Sequence, residues 1–268
     1  MSNKFNRVIP DLLRRAGEVM LRATSIEDGD NLMEKGSAAN LVTVYDIKVQ
    51  ELVIAGLKEA FPRATFVAEE KDNSKENTDG ECCFILDPID GTANFTRGFR
   101  HSCISLAATR GGRVVYSAIY DPYQDEMFSA ELGEGMTVNG RRVSVTPHDI
   151  SHSLILFGTS PYKKSELGRA TFAIAESLYS VCSDVRRCGS AALDLAYLAA
   201  GRADGFFELT LSPWDFAAGL LMIEESGGRI TDLDGNRPSL NAPCPIIAGY
   251  GEVYEAVKTA VKKEAVLI

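Results

Sequence analysis

Apolar residues recur at Val8, Leu12, Leu13, Ala16, Val19 and Met20, a helical spacing that predicts an amphipathic helix at the start of the chain. The polar stretch from Thr24 to Asn40, with Gly29, Gly36 and Ser37, predicts a loop or a loose hairpin. A second helix is expected from about Val44 to Ala60, packing Ile47, Leu52, Ile54 and Leu57, with Pro62 marking its end. Thr65 to Ala68 reads as a short strand running into Glu69-Glu70, and the polar segment beyond it to Gly80 reads as an exposed loop. Phe84 to Leu86 reads as a buried strand that stops at Asp87. Four alternating segments follow, Ile104–Thr109, Val114–Tyr120, Glu126–Glu131 and Val143–Val145, separated by the turn formers Gly111-Gly112, Asp121-Pro122 and Asn139-Gly140. They predict an antiparallel meander.

The rhythm changes at Ser153. Strands are expected at Ser153–Phe157, Gly205–Leu209, Arg229–Leu233 and Ile246–Ala248. They alternate with helices at Leu167–Tyr179, Ser190–Ala200, Ser212–Glu225 and Glu252–Lys262. Ser212 is a suitable N-cap, and Pro213 suits the first helical position. The chain thus divides into an α+β half, residues 1–150, with an antiparallel sheet, and an α/β half, residues 151–268. No repeat or low-complexity linker separates them, so one continuous body is expected.

Composition narrows the chemistry. The 268 residues are 45% hydrophobic and 24% charged, an ordinary globular balance, and they carry a formal net charge of −9. That charge, with no basic run to offset it, argues against direct nucleic-acid binding. Met1-Ser2-Asn3-Lys4-Phe5 leads into a helix with no apolar core region, so no signal peptide is expected, and no stretch has membrane-spanning length. The six cysteines include no CxxC, which argues against a zinc or redox pair and for small buried side chains in a reducing cytoplasm.

The chemistry concentrates where apolar strands end in acids. Asp87 and Asp90 lie three residues apart with Pro88 between them, and Gly91-Thr92 follows at once. Burying two carboxylates so close together is costly unless a cation or a proton is shared. Carboxylate oxygens are natural ligands for a hard cation such as magnesium, which leaves positions open for water and phosphate. A turn at Pro88 would also free the Ile89 carbonyl. Glu69-Glu70 and Asp215 supply further acids, although Asp215 reads equally as a helix cap and Asp46 equally as a first-turn acid complementing the helix dipole. Glu208, at the expected end of its strand, is either a ligand for a substrate hydroxyl or a solvent-facing acid. His101 is isolated. His148 and His152 have i,i+4 spacing but sit in a polar segment, which reads as a solvated pair. No GxSxG, CxxxxxR or P-loop is present, so a covalent serine or cysteine nucleophile has no support.

Asp87-Pro88-Ile89-Asp90-Gly91-Thr92 and the downstream Trp214-Asp215-Phe216-Ala217-Ala218-Gly219 resemble the inositol monophosphatase family of magnesium-dependent, lithium-sensitive sugar phosphatases. Glu69-Glu70 before the first motif and Gly227-Gly228 after the second agree with that resemblance, which runs from Asp46 to the last strand. It implies a layered αβαβα sugar-phosphatase fold and two or three Mg2+ ions held by Glu69, Asp87, the Ile89 carbonyl, Asp90 and Asp215. By the same resemblance Thr92, beside Glu69, orients and activates the attacking water, with Asp46 as an outer carboxylate. Asp90, Gly91 and Thr92 would meet the phosphate side of the substrate, and Ala191 and Glu208 would line the inositol ring. The implied reaction is direct in-line hydrolysis of a phosphate monoester by a cytoplasmic homodimer. Ala93 departs from the threonine of many members, and Lys35-Gly36-Ser37-Ala38-Ala39-Asn40 is similar to the family's catalytic loop. Ala93-Asn94-Phe95 leans towards inositol phosphates over nucleotide substrates. Fructose 1,6-bisphosphate and histidinol phosphate are the alternatives on the same fold, and some bacterial relatives also bind the transcription machinery.

Overall fold

A computed structural model describes residues 2–23, 32–37, 40–73 and 78–264. The amphipathic pattern folds as helix α1 (Ser2–Leu21), with Ile9, Leu12, Leu13, Ala16 and Met20 buried. Strands β1 (Leu32–Ser37) and β2 (Asn40–Thr43) pair antiparallel, the hairpin alternative for that polar stretch. Residues 24–31 and 38–39, the latter inside the family-like loop, lie outside the described residues, as do 74–77 of the polar segment before Gly80.

Helix α2 (Val44–Ala60) has the expected bounds but a different inner face. Its buried residues are Asp46, Val49, Gln50, Val53 and Leu57, whereas Ile47 is exposed and Leu52 and Ile54 are only partly covered. Of the four apolar residues expected to pack inward, only Leu57 does so fully. The helix is rotated because Asp46 and Gln50 have partners inside the protein, and polar groups so satisfied can be buried at modest cost.

Strand β3 (Thr65–Ala68) runs parallel to β4 (Cys83–Asp90), which is buried from end to end. The short helix α3 (Thr92–Thr96) follows, and then the meander β5 (Cys103–Arg110), β6 (Arg113–Asp121), β7 (Glu126–Glu131), β8 (Gly135–Val138) and β9 (Arg141–Arg142). Strands β3 to β9 lie in sequence order in one sheet. The strand expected at Val143–Val145 is not formed. Arg141–Arg142 pairs with β8 across the Asn139-Gly140 turn, and after Val143 the chain leaves the sheet.

The second half contributes β10 (Leu154–Phe157), α4 (Lys164–Tyr179), β11 (Asp184–Arg186), α5 (Ala191–Ala199), β12 (Gly205–Leu211), α6 (Pro213–Glu225), β13 (Arg229–Thr231), β14 (Cys244–Gly249) and α7 (Gly251–Glu264). Among the described residues its sheet has the order β11-β10-β12-β14-β13, with β10 parallel to both neighbours and β14 antiparallel to both of its own. Glu208 lies inside β12, not at its end, and is buried rather than solvent-facing.

The layers follow from which faces are apolar. Helices α1 and α2 cover one face of the larger sheet. Helices α5 and α6 fill the space between its other face and the smaller sheet. Helices α4 and α7 close the outside of the smaller sheet. This is the expected αβαβα sandwich. A helix between two sheets has no solvent face, so α6 buries Phe216, Ala217, Ala218, Leu220, Leu221, Met222 and Ile223 all round. Each of its large side chains contributes about 1.5–3 kcal/mol. Gly219 lets α5 approach closely, since a Cβ there would stand 2.5 Å from that of Leu195.

Among the described residues no helix is long and apolar enough to cross a membrane. No pair of cysteines forms a disulfide. Only Cys83 and Cys103 are fully buried, fewer than expected, because Cys82, Cys182, Cys188 and Cys244 fall at element ends and loops where cover is partial.

Candidate active site

Strand β4 ends in an irregularity that aims its acids. Cys83 to Asp87 pair residue by residue with Thr109 to Ser105 of β5, but the register shifts between Asp87 and Asp90, so Asp90 stands opposite Cys103. Inside that bulge the Ile89 N–H donates to Asp87 Oδ1 at 3.0 Å, and the Ile89 carbonyl accepts from the Thr92 hydroxyl at 3.1 Å. Gly91 turns the chain at φ +88°, where a Cβ would also press on the His101 carbonyl at 3.0 Å and the Gly189 carbonyl at 3.2 Å. Gly91→Ala should therefore cost about 2 kcal/mol, from backbone strain plus displaced neighbours. A urea midpoint equal to the parent's would show that the turn relaxes freely.

Asp90 and Asp215 are each fixed through one oxygen. Asp90 Oδ2 accepts from the Ala192 N–H at 2.8 Å and from the Ser190 hydroxyl, both at the start of α5. Asp215, in the first turn of α6, accepts from the Ser212 N–H at 2.7 Å, so the capping role is real. The same residue also faces the acids of β4: oxygens of Asp87, Asp90 and Asp215 lie within 4.8 Å of one another. Asp46, fully buried, caps α2 by accepting from the Thr43 N–H at 2.8 Å. It also accepts from the Thr92 hydroxyl, 3.3 Å from its Oδ1. Cap and site partner prove compatible for both residues, because a carboxylate has two oxygens.

Two amide side chains steady Glu69, which continues from the end of β3. Gln50 exchanges two 3.1 Å bonds with the backbone of Glu70. Asn73 bonds both backbone groups of Ala68. Nothing in their sequence neighbourhood marks Gln50 or Asn73, since a clamp of this kind depends on tertiary contact.

Electrostatics give the cluster its character. Burial first, and then Glu69, Asp90 and Asp215, raise the Asp87 carboxyl well above the usual carboxylate range. Burial, with Asp90 and Glu69, does the same to Asp215. Asp46 and Asp90 are each pushed up to about 6, in both cases chiefly by burial. Acids that cost this much to ionise are what a divalent cation would offset. The grouped oxygens of Asp87, Asp90 and Asp215 could hold a metal, and an all-oxygen donor set fits a hard ion such as magnesium.

Asp90 and Asp215 open onto a cavity of about 160 Å³ that is also lined by Glu69, Gly91, Thr92, Ala191 and Glu208 among others. Arg187 and Tyr162 also line it and were not foreseen. Glu208 faces the cavity with Oε1 held by the Ser160 N–H at 2.8 Å and the Ser160 hydroxyl at 2.9 Å. Burial pushes its carboxyl up to about 7. Gly158 lines the same wall, where any Cβ would occupy the space of the Glu208 carboxylate.

The histidines sort as follows. His148 pairs with Asp204 at 2.8 Å and His152 with Asp149 at 2.8 Å, so the i,i+4 pair serves two separate acids. His101 is not isolated: it stands beside Cys188 and Asp194, residues too far along the chain for spacing to connect.

Five alternating layers with carboxylates gathered at strand and helix ends over a polar cavity define a protein of the sugar-phosphatase class. The inositol monophosphatase family model matches residues 3–265, and the chain belongs to that family. The chain is 36% identical to the Nus factor SuhB of Escherichia coli (strain K12) over 252 residues, covering 94% of this chain and 93% of that protein. The crystal structure of extragenic suppressor protein suhB from Bartonella henselae superposes with a TM-score of 0.87 at 33% identity, covering 96% of this chain and 98% of that one. The IMPase of Thermotoga maritima superposes with a TM-score of 0.85 at 30% identity, covering 99% and 98%.

Proposed function

We propose that this phosphatase hydrolyses inositol 1-phosphate with magnesium, as a cytoplasmic homodimer. The observation that carries the reading is the cluster of buried carboxylates, Asp87, Asp90 and Asp215, of which Asp90 and Asp215 line one cavity together with Glu69. These residues and the Ile89 carbonyl would hold two or three Mg2+ ions. When bound, magnesium offsets the charge of a phosphate and acidifies water.

The chain's own residues supply the rest. The Thr92 hydroxyl has one proton and two neighbours that can accept it, Ile89 O at 3.1 Å and Asp46 Oδ1 at 3.3 Å. Once that proton is given to either, its lone pairs can accept from a water placed between Thr92 and Glu69. Asp46 keeps Thr92 in this orientation, and the Glu69 carboxylate is the base within the same cavity. Gly91 and Thr92 offer the phosphate a wall without bulk. Glu208, with one oxygen committed to Ser160, has the other available to a ring hydroxyl, and Ala191 leaves room for the ring.

The test is side-by-side turnover of inositol 1-phosphate, fructose 1,6-bisphosphate and histidinol phosphate in magnesium. Inositol 1-phosphate should have the highest kcat/KM. A higher value for either other ester would move the substrate assignment without touching the site chemistry.

A second reading, favoured by likeness to a protein named as a Nus factor, is a binding role in the transcription machinery. Direct nucleic-acid contact is disfavoured by the net charge of −9, so the partner would be a protein. Co-purification from cell extract that persists in an Asp87→Asn/Asp90→Asn double variant would support that role independently of catalysis.

A further inference from the structure

We infer that His101, Cys188 and Asp194 form a second cation site, one that takes a thiophilic divalent ion such as zinc. None of these three residues belongs to the oxygen donor set described above, so the inference goes beyond the proposed phosphatase chemistry.

The three side chains present an imidazole nitrogen, a sulfur and a carboxylate oxygen, all within 4.8 Å of one another. That mixed set suits zinc and its soft neighbours, and it suits magnesium poorly. Two of the ligand atoms make no hydrogen bond and meet only each other. His101 Nε2 and Asp194 Oδ1 are both buried and without any hydrogen-bond partner. Asp194 is only 1% exposed, so its orphaned oxygen is costly as it stands. The two atoms face each other at 3.7 Å, too far for a hydrogen bond. A nitrogen and an oxygen about 2.0–2.2 Å from a tetrahedral ion stand about 3.3–3.6 Å apart, so the gap needs to close only slightly to share an ion.

The backbone holds the ligands in place. Asn94 Nδ2 donates to the His101 carbonyl at 2.8 Å and to the Cys188 carbonyl at 2.9 Å, so one amide ties both ligand-bearing segments together. Gly189, at φ +93°, lets the chain pass beneath Asn94, where a Cβ would meet the amide at 3.1 Å. The His101 ring stands edge-on to Tyr197, with centroids 5.9 Å apart. Asp194 sits on α5 and the other two on separate loops, so docking of α5 assembles the set. Arg187 lies close by, but its Nε donates to Thr159 Oγ1 at 3.2 Å rather than to Asp194.

Charge balances as well. A thiolate and a carboxylate together offset the charge of a divalent ion, with the Cys188 proton leaving to solvent as the sulfur–metal bond forms. Three protein ligands leave a fourth position for water or a substrate oxygen, and Asp194 lines the phosphatase cavity.

The test uses the full chain, reduced, in excess magnesium so that the oxygen cluster is filled. Titration with cobalt(II) alone should give a sulfur-to-cobalt charge-transfer band that saturates at one equivalent and is displaced by zinc. Cys188→Ser should abolish the band, and His101→Gln should weaken zinc binding at least ~10-fold. Absence of the band in the parent protein would overturn the inference without any variant. A band that survives Cys188→Ser, or zinc affinity unchanged in His101→Gln, would overturn it too.

Discussion

Asp90→Asn should lower phosphate release by more than ~100-fold while the variant, stripped of divalent ions, melts at a higher temperature than the parent. The two effects share one cause. Asp90 is buried against Asp87 and Asp215, and its carboxyl is pushed up to about 6, so ionising it at neutral pH works against the fold. Asparagine removes the charge and keeps an oxygen for the Ser190 hydroxyl and the Ala192 N–H. The stability gained without metal is on the order of 2–3 kcal/mol, the worth of a pKa displaced by about two units. The lost function follows because a neutral amide is a poor substitute among ligands that must hold hard cations. Parallel phosphate-release assays and melts in chelator check both halves. A variant that melts lower than its parent in chelator would mean that the cluster does not carry the strain assigned to it.

The second large effect is on pH. Without divalent ions, stability should fall as pH rises from about 4 to 7, opposite to the trend of salt-bridged carboxylates. Asp46 and Asp90 hold their protons up to about 6 in the folded chain, and Glu208 up to about 7, all above their ordinary values. Over that window the folded state binds more protons than the unfolded state, so each group removes about 1.4 kcal/mol per pH unit. The stabilisation is complete below the ordinary carboxylate range and is lost through the raised values. Magnesium at a hundred times its dissociation constant should restore about 2.7 kcal/mol at neutral pH. For a chain of this size that is roughly 5–10 °C in melting temperature. Melts at pH 5 and pH 7.5, with chelator and with magnesium, separate the contributions. A melting point that rises with pH in chelator, or that ignores magnesium at pH 7.5, would contradict the assignment.

These effects trace to residues that the sequence displays unevenly. Asp87 and Asp90 were legible because they sit where an apolar run stops, and stranded acids at such places demand a reason, whereas Asp215, at a helix start, read equally as a cap. The layers were legible through the resemblance that the two motifs carry, and the structure has them, with α1 apolar on one side and α6 on all sides. The inner face of α2 was not, since Asp46 and Gln50 look solvent-bound until Thr43, Thr92 and Glu70 are placed around them. Glu208 looked like a strand end because nothing local announces Ser160, forty-eight positions earlier, as its partner. His101, Cys188 and Asp194 were invisible for the same reason. Local spacing reports elements well and reports what those elements assemble poorly.

The middle helical layer has a consequence for how the protein is born. The larger sheet is complete once β9 has been synthesised, but α5 and α6, which cover its second face, lie as far along as Glu225. At roughly 5–20 residues per second, that face waits several seconds at the ribosome with its apolar side chains uncovered. Asp215 arrives in the same late stretch. The nascent chain therefore shows an uncovered apolar face during that interval, and the acid cluster stays unfinished until α6 has emerged.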